Sequence, residues 1–302
     1  MPLHPRQKAA RYQVGGYAFT TKGISRFDLR DPYHIAVTLT WPQFLLTLLG
    51  VYLAVNLLFA ALYTLVPGSV VNVRPGNFAE AFFFSFETLA TVGYGEMYPG
   101  NLYGHIVACA EITSGVAFTA ILTGLTFVRF SRPKSKFVIA NKMVVARYNG
   151  TPTLMLRIGN GRPGLIADVH AQLNVLLSET SLEGIMFRHS HTLKLIRSQL
   201  PILPLAWTVM HPIDETSPIY GMDSAKLVQS DARLFLSLEA RDPSIAALVY
   251  ELRNFQPQDV AFGMRYADAV VAEEDGSTVM DLDLISGIEP DDPTHHGAGG
   301  LV

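Results

Sequence analysis

Five consecutive residues carry the sharpest chemical signal in this chain: Thr91, Val92, Gly93, Tyr94 and Gly95. Successive backbone carbonyls set around an axis can replace the hydration shell of K⁺, and the Thr91 hydroxyl can add an oxygen below them. Such carbonyls reach one axis only if some residues leave the conformations open to ordinary L-residues, which the two glycines do without steric cost. Val92 and Tyr94 then point away and brace the ribbon. One chain supplies a quarter of each ion cage, held by the backbone of Thr91, Val92, Gly93 and Tyr94, so four copies must assemble. As a bare pentapeptide the string is weak, because in a water-soluble domain it reads more simply as a turn. The elements around it must decide.

The chain has 302 residues, 49% hydrophobic and 16% charged, which exceeds one ordinary domain and is charge-poor for a soluble protein. Residues 32–73 contain no Asp, Glu, Lys or Arg. Within them Trp41 to Val66 is a 26-residue apolar run, longer than the ~20 residues a bilayer core requires, and it predicts a first spanning helix over 41–66. A second span is expected over 98–130, where one acid, Glu111, precedes the uncharged run Ile112 to Val128. The first 30 residues are polar and basic, unlike a cleaved signal, so the first apolar helix is expected to stay in the membrane. Arg6, Lys8, Arg11, Lys22, Arg26 and Arg30 precede the first span, Arg74 alone lies between the spans, and Arg129, Arg132, Lys134 and Lys136 follow the second. That asymmetry predicts a multi-pass protein with both termini cytoplasmic, residues 1–30 forming a cytoplasmic segment. The single Cys109 excludes an intrachain disulfide and a thiolate metal cluster. A net charge of −3 without a basic, aromatic-interleaved stripe gives no sign of nucleic acid as a partner.

Asp31-Pro32 combines a helix N-cap with proline at the first helical position, and Tyr33 to Trp41 is apolar enough to lie in the lipid interface. A short interfacial slide helix over 31–40, bent from the first span near Trp41-Pro42, is therefore expected. Asn77 to Leu89, NFAEAFFFSFETL, predicts a pore helix over 77–89 that is aromatic all round and too short to span. It stops just before Thr91, so its negative dipole end would face the ion path, and the filter at 91–95 would lie between two spans, where irregular backbone at membrane depth is tolerated. Of three nearby acids, Glu87 sits four residues before Thr91 as a candidate filter brace. Glu96 follows Gly95 at the outer mouth, where it would attract cations, and Glu111 must face protein rather than lipid. In the second span Gly115 and Gly124 are candidate hinge or close-packing points. Thr119 and Phe127 share a cavity-facing side at helical spacing, and a ring of Phe127 side chains could close the pore by dewetting.

Beyond Lys136 the pattern changes to short alternating segments, which predicts a β-sandwich over 133–290 and a disordered tail over 291–302. Strands are expected at 143–148, 153–158, 167–177, 184–187, 193–196, 207–210, 233–239, 260–266 and 279–284, with 244–252 either helix or strand. Turn signals stand at Asn149-Gly150, Asn160-Gly161 and Asp275-Gly276. No enzyme site and no cofactor emerge. His189-Ser190-His191 places two imidazoles on one face of a strand with no third ligand in view, which argues against a metal pair. The run Gly159 to Gly164 has no Gly-Lys-Ser/Thr ending and reads as a loop, and His211, Asp214 and Glu215 lie among prolines that suggest an interface loop.

Taken in order, the interfacial helix, Trp41-Pro42, NFAEAFFFSFETLATVGYG and a helix ending RFSRPKSKF resemble the inward-rectifier potassium channels, most closely their bacterial branch, KirBac. The stretch Trp207 to Tyr220, WTVMHPIDETSPIY, is similar to that family's motif after a central strand, so the likeness covers about residues 25 to 290. It implies a homotetramer in a bacterial inner membrane, with an α-helical pore domain (31–132) followed by cytoplasmic immunoglobulin-like β domains. The resemblance also implies K⁺ as the transported ion. The resemblance places Phe127 at the gate. It places Thr119 at a cavity position where strongly rectifying relatives carry an acid, so a neutral hydroxyl implies weak voltage-dependent block. Arg129, Arg132 and Lys134, with Lys136 beyond them, match a basic cluster that binds phosphoinositide or other anionic lipid. Thr40-Trp41 departs from the pattern where eukaryotic relatives carry a basic residue, which leaves the sign of the lipid effect open. The reading is a K⁺ channel whose β domain biases the Phe127 gate through the interfacial helix. Its rivals are a nonselective cation pore and a nonconducting membrane-anchored sensor.

Overall fold

The computed structural model describes residues 9–14, 17–22, 31–133, 135–272 and 278–291. Strands β1 (Ala9–Val14) and β2 (Tyr17–Lys22) pair antiparallel, with Val14 opposite Tyr17. A plain polar segment was expected there. The missed signal is Gly15-Gly16 between two runs of β-formers, the spacing of a two-residue hairpin. This hairpin groups with the described residues from 133 onward, while 31–132 form a separate compact unit.

In that unit α1 (Pro32–Thr38) opens on Asp31, whose carboxylate accepts from the His34 amide at 2.9 Å. The helix stops two residues short of the expected Thr40, because Pro42 has no N–H to offer Thr38 and its ring would clash with that carbonyl. Leu39 and Thr40 turn extended, and α2 (Trp41–Leu65) restarts, the Thr40 amide donating to the Gln43 side chain at 3.1 Å. A two-residue strand β3 (Val70–Val71) leads to α3 (Phe78–Leu89), capped by Asn77. The next helix starts four residues after the expected Tyr98. Tyr98-Pro99 form strand β4 against β3, and Asn101 caps α4 (Leu102–Phe130) by accepting from the Gly104 amide at 2.8 Å. Phe59, Ala60 and Tyr63 of α2 and Val107 of α4 bury against Ala81 and Phe84 of α3. Leu45, Leu46, Leu57, Leu58, Ile106, Val116 and Ile121 stay exposed within the chain, as on helices whose surroundings are apolar. Both α2 and α4 are long and apolar enough to cross a membrane.

The second unit is a sandwich of two five-stranded sheets. One contains β5 (Phe137–Ile139), β6 (Met143–Tyr148), β7 (Thr151–Asn160), β11 (Ala206–Pro212) and β14 (Val260–Phe262), in the order β11-β7-β6-β14 with β5 also on β7. The other contains β8 (Ile166–Thr180), β9 (Met186–Leu193), β10 (Gln199–Leu203), β12 (Arg233–Asp242) and β13 (Ala247–Phe255), in the order β10-β8-β12-β13 with β9 also on β8. Alternate residues of each sheet, Leu154, Leu156, Ile158 and Val209 against Leu173, Val175, Leu234, Leu236 and Leu238, make one core. Asn149 and Gly150, both at positive φ, form the hairpin turn between β6 and β7.

Several strand boundaries differ from expectation. In place of the expected segments at 184–187 and 193–196 there is one strand, β9, because pairing with β8 runs unbroken from Met186 to Leu193 and carries the histidines through. Pairing with β12 likewise makes 247–255 a strand. Gly263 at φ 67° splits 260–266 in two, and Asp281 caps a 3-10 turn, Leu282–Leu284, that ends the strand Thr278–Met280. Strand β10 and the helix α5 (Ser224–Gln229) were not expected. Asp275-Gly276, and the tail from 292 on, lie outside the described residues.

Candidate functional site

The C-terminal end of α3 hands the chain directly to Thr91. The Ala90 amide donates to Phe86 O at 3.1 Å, the Thr91 amide to Thr88 O at 3.0 Å and the Val92 amide to Glu87 O at 2.8 Å. Backbone φ then alternates in sign: Thr91, Gly93 and Gly95 are positive at 56°, 59° and 86°, and Val92 and Tyr94 between them are not. A Cβ on Gly93 or Gly95 would meet no atom of this chain within 4 Å, so within the chain it is the conformation that calls for glycine. The left-handed geometry expected only at the glycines extends to Thr91, a β-branched residue for which it costs about 1–2 kcal/mol. Val92 and Tyr94 are exposed within the single chain.

Behind this segment lies a buried polar network. Glu111 is fully enclosed: one carboxylate oxygen accepts from the Tyr63 hydroxyl at 2.7 Å, the other from the Ser85 hydroxyl. Ser85 also lies 3.2 Å from Asn56 Oδ1, and the Asn56 amide group donates to Tyr52 O at 2.8 Å. One acid from α4 is thereby tied to α2 and α3. Sequence left its partner unnamed; the available signal was that Asn56, Tyr63 and Ser85 are polar within apolar runs. Glu87 is half-buried, and its carboxylate has no hydrogen bond or ion pair among the described residues. Glu96 is exposed, its carbonyl accepting from the Asn72 side chain at 2.7 Å.

The two glycines of α4 are unlike each other. A Cβ on Gly115 would stand 2.2 Å from Leu89 O, so this glycine lets α4 press against the end of α3. Gly124 has nothing within 4 Å. The helix runs through both without a break. The Thr119 hydroxyl donates to Gly115 O at 2.9 Å, and Phe127 is 70% exposed within the chain.

The basic cluster is divided by its contacts. Arg129 donates to Ala36 O at 2.6 Å and Leu39 O at 2.8 Å, with its guanidinium 4.7 Å from the Trp41 ring and 4.5 Å from the Phe44 ring. It therefore caps the carbonyl end of α1 and is held by the start of α2. Arg132 reaches Val37 O at 3.3 Å while remaining exposed, and Lys136 is exposed. Lys134 lies outside the described residues.

Three further groups singled out in the sequence resolve differently. Gly159 to Gly164 is the end of β7 and a loop in which Arg162 pairs with Asp242 at 2.6 Å, and β8 follows at Ile166 in place of the helix that a phosphate loop requires. His211 is buried. Its Nδ1 faces Lys194 O at 2.8 Å, so that nitrogen carries the proton, and Nε2 accepts from the Ser217 hydroxyl at 2.8 Å. Burial pushes its pKa down, so it holds a loop as a neutral ring. The His189 and His191 pair meets a third group that was not foreseen, Glu179, which sequence places ten and twelve residues away.

A sequence family described as the inward rectifier potassium channel C-terminal domain matches residues 137–293, more than half of the chain. This chain belongs to the inward rectifier potassium channel family. A second family, described as ion channel, matches residues 48–132, the stretch holding α3 and Thr91 to Gly95. The chain is 36% identical over 254 residues to the inward rectifier potassium channel Kirbac3.1 of Paramagnetospirillum magnetotacticum, covering 84% of this chain and 86% of that one. It is 24% identical over 279 residues to the human ATP-sensitive inward rectifier potassium channel 10, covering 85% and 73%. With a guinea-pig (Cavia porcellus) relative, ATP-sensitive inward rectifier potassium channel 11, it shares 26% over 314 residues, covering 93% and 79%. Inward rectifiers are ion channels and not enzymes, and the two apolar helices make this member a membrane protein.

Proposed function

We propose that four copies of this chain form a K⁺-selective pore in a bacterial inner membrane, with both termini cytoplasmic. The observation that carries the reading is the alternation of φ sign from Thr91 to Gly95 at the carbonyl end of α3. Alternating handedness collects successive N–H groups on one edge of the ribbon and successive carbonyls on the other, a geometry suited to stripping water from a cation. In this reading Thr91, Val92, Gly93 and Tyr94 coordinate K⁺ and Gly95 closes the ribbon. Glu111 braces α3 from behind, Glu87 finds its partner on a neighbouring copy, and Glu96 draws cations to the outer mouth. Thr119 faces the cavity, and its neutral hydroxyl gives weak block by polyamines. The exposed Phe127 side chains meet as the gate.

In this reading anionic lipid is recognised by the charges of Arg132, Lys134 and Lys136, whereas Arg129 links α1 to the gate-bearing end of α4. Anionic headgroups at the leaflet edge, phosphoinositide among them, then bias the gate through that linkage. The Lys and Arg distribution supports the orientation. Purified protein in liposomes should take up Rb⁺ far faster than Na⁺, respond to added phosphoinositide, and lose flux on Gly93→Asp. Equal Rb⁺ and Na⁺ uptake would reject selectivity in favour of a nonselective pore. No uptake under any ionic, pH or lipid condition would favour a nonconducting sensor.

A further inference from the structure

We propose that Glu179, His189 and His191 form a binding site for a divalent transition-metal ion of the zinc type on the cytoplasmic sandwich. Among the described residues strand β9 pairs only with β8, placing His189 opposite Leu177 and His191 opposite Val175, with Glu179 opposite Phe187. Residues two apart on a strand share a face, so all three point to the side of Leu173, Val175, Leu177 and Leu193, the core side of this sheet. There the apolar alternation gives way to an acid and two imidazoles at the end of the β8–β9 ribbon, partly open to solvent.

The ligand atoms are already convergent. One nitrogen of each ring and a carboxylate oxygen lie within 4.8 Å of one another. His189 Nδ1 is 3.1 Å from Glu179 Oε2, and His191 Nε2 is 2.6 Å from Glu179 Oε1. In a tetrahedral zinc site with bonds of about 2.0–2.1 Å, neighbouring ligand atoms stand roughly 3.3 Å apart, so small side-chain rotations convert the cluster. Each present contact needs a ring proton aimed at the carboxylate. A metal ion takes the place of both protons, leaving two neutral imidazoles, one carboxylate and a fourth position for water, a set that zinc accepts. The Phe187 ring lies beside His189, with ring centroids 6.2 Å apart and planes at 28°. The bound ion would fasten the edge strand β9 to β8.

Full-length, tag-free protein in detergent would be titrated with zinc chloride by calorimetry and by thermal unfolding. One ion per chain should bind and raise Tm. His189→Ala and His191→Ala should each weaken binding by at least about tenfold, since loss of even an outer-sphere partner costs that much. The double variant should lose both the stoichiometric site and the Tm rise. Glu179→Gln, which keeps shape and removes charge, should also bind more weakly and guards against misfolding of the alanine variants. His295→Ala with His296→Ala, in the C-terminal tail, should leave binding intact. Absence of a saturable site, or undiminished binding in the correctly assembled double variant, overturns the proposal.

Discussion

Replacing Gly115 by alanine should uncouple conduction from membrane insertion, and the size of the effect follows from one distance. The new Cβ would lie 2.2 Å from the Leu89 carbonyl oxygen, whereas real Cβ contacts essentially never fall below 3.0 Å. The neighbour is backbone, so it cannot swing aside: either α4 or the last turn of α3 must shift by roughly an ångström. Leu89 is the final residue of α3 and lies two positions before Thr91, so the displacement is delivered to the start of the ribbon from Thr91 to Gly95. Overpacking of this kind costs about 1–3 kcal/mol. Gly104→Ala makes a comparable clash, 2.0 Å from Ser69 O, but between the start of α4 and the segment that precedes α3, with no contact to the end of α3 that leads to Thr91. Gly124→Ala meets nothing within 4 Å and removes a helix-interior glycine, which favours the helix by about 1 kcal/mol. Rb⁺ flux into liposomes, normalised to assembled protein, with thermal unfolding in detergent, separates the cases. Gly104→Ala should lower Tm with flux per channel retained, Gly115→Ala should lower both, and Gly124→Ala should lower neither. Normal flux in Gly115→Ala would refute the close-packing argument, and loss of flux in Gly124→Ala would make that residue a hinge.

Two further outcomes follow from named contacts. Arg129→Ala removes two charge-assisted hydrogen bonds to α1 carbonyls, worth about 1.5–3 kcal/mol each where water cannot replace them. Amide exchange in α1 should accelerate, with Arg129→Lys intermediate because a point charge cannot span both carbonyls, and unchanged exchange would show that α1 is held otherwise. Because burial lowers the His211 pKa, the folded and unfolded chains are both neutral there above the ordinary value of about 6.5. Below it the unfolded chain takes the proton first, so stability falls with pH through this window, by at most about 1.4 kcal/mol per unit. Denaturant unfolding followed by exchange in β11 should show that slope in the wild type and a shallower one in His211→Gln. Equal slopes would remove His211 from the account.

The sequence by itself determined the segments and their solvents. Uncharged length marked the two spans, Asp31 and Asn77 marked where helices begin, strict alternation marked β8, and the two glycines of Thr91 to Gly95 marked where backbone φ turns positive. These are local properties: backbone propensity, capping and period act within one element, so adjacent residues contain them. Tertiary structure decided what those elements hold. Glu111 finds Tyr63 and Ser85 across 48 and 26 positions, Arg129 finds the Ala36 carbonyl across 93, and Gly115 proves to be a contact where Gly124 is open helix. The meeting of Glu179 with His189 and His191 depends on the β8–β9 register, which a one-residue slip would abolish by turning the histidines to the other face. Which distant groups meet is set by the path of the whole chain, because contact energies depend on distance in space and periodicity records only distance along the sequence.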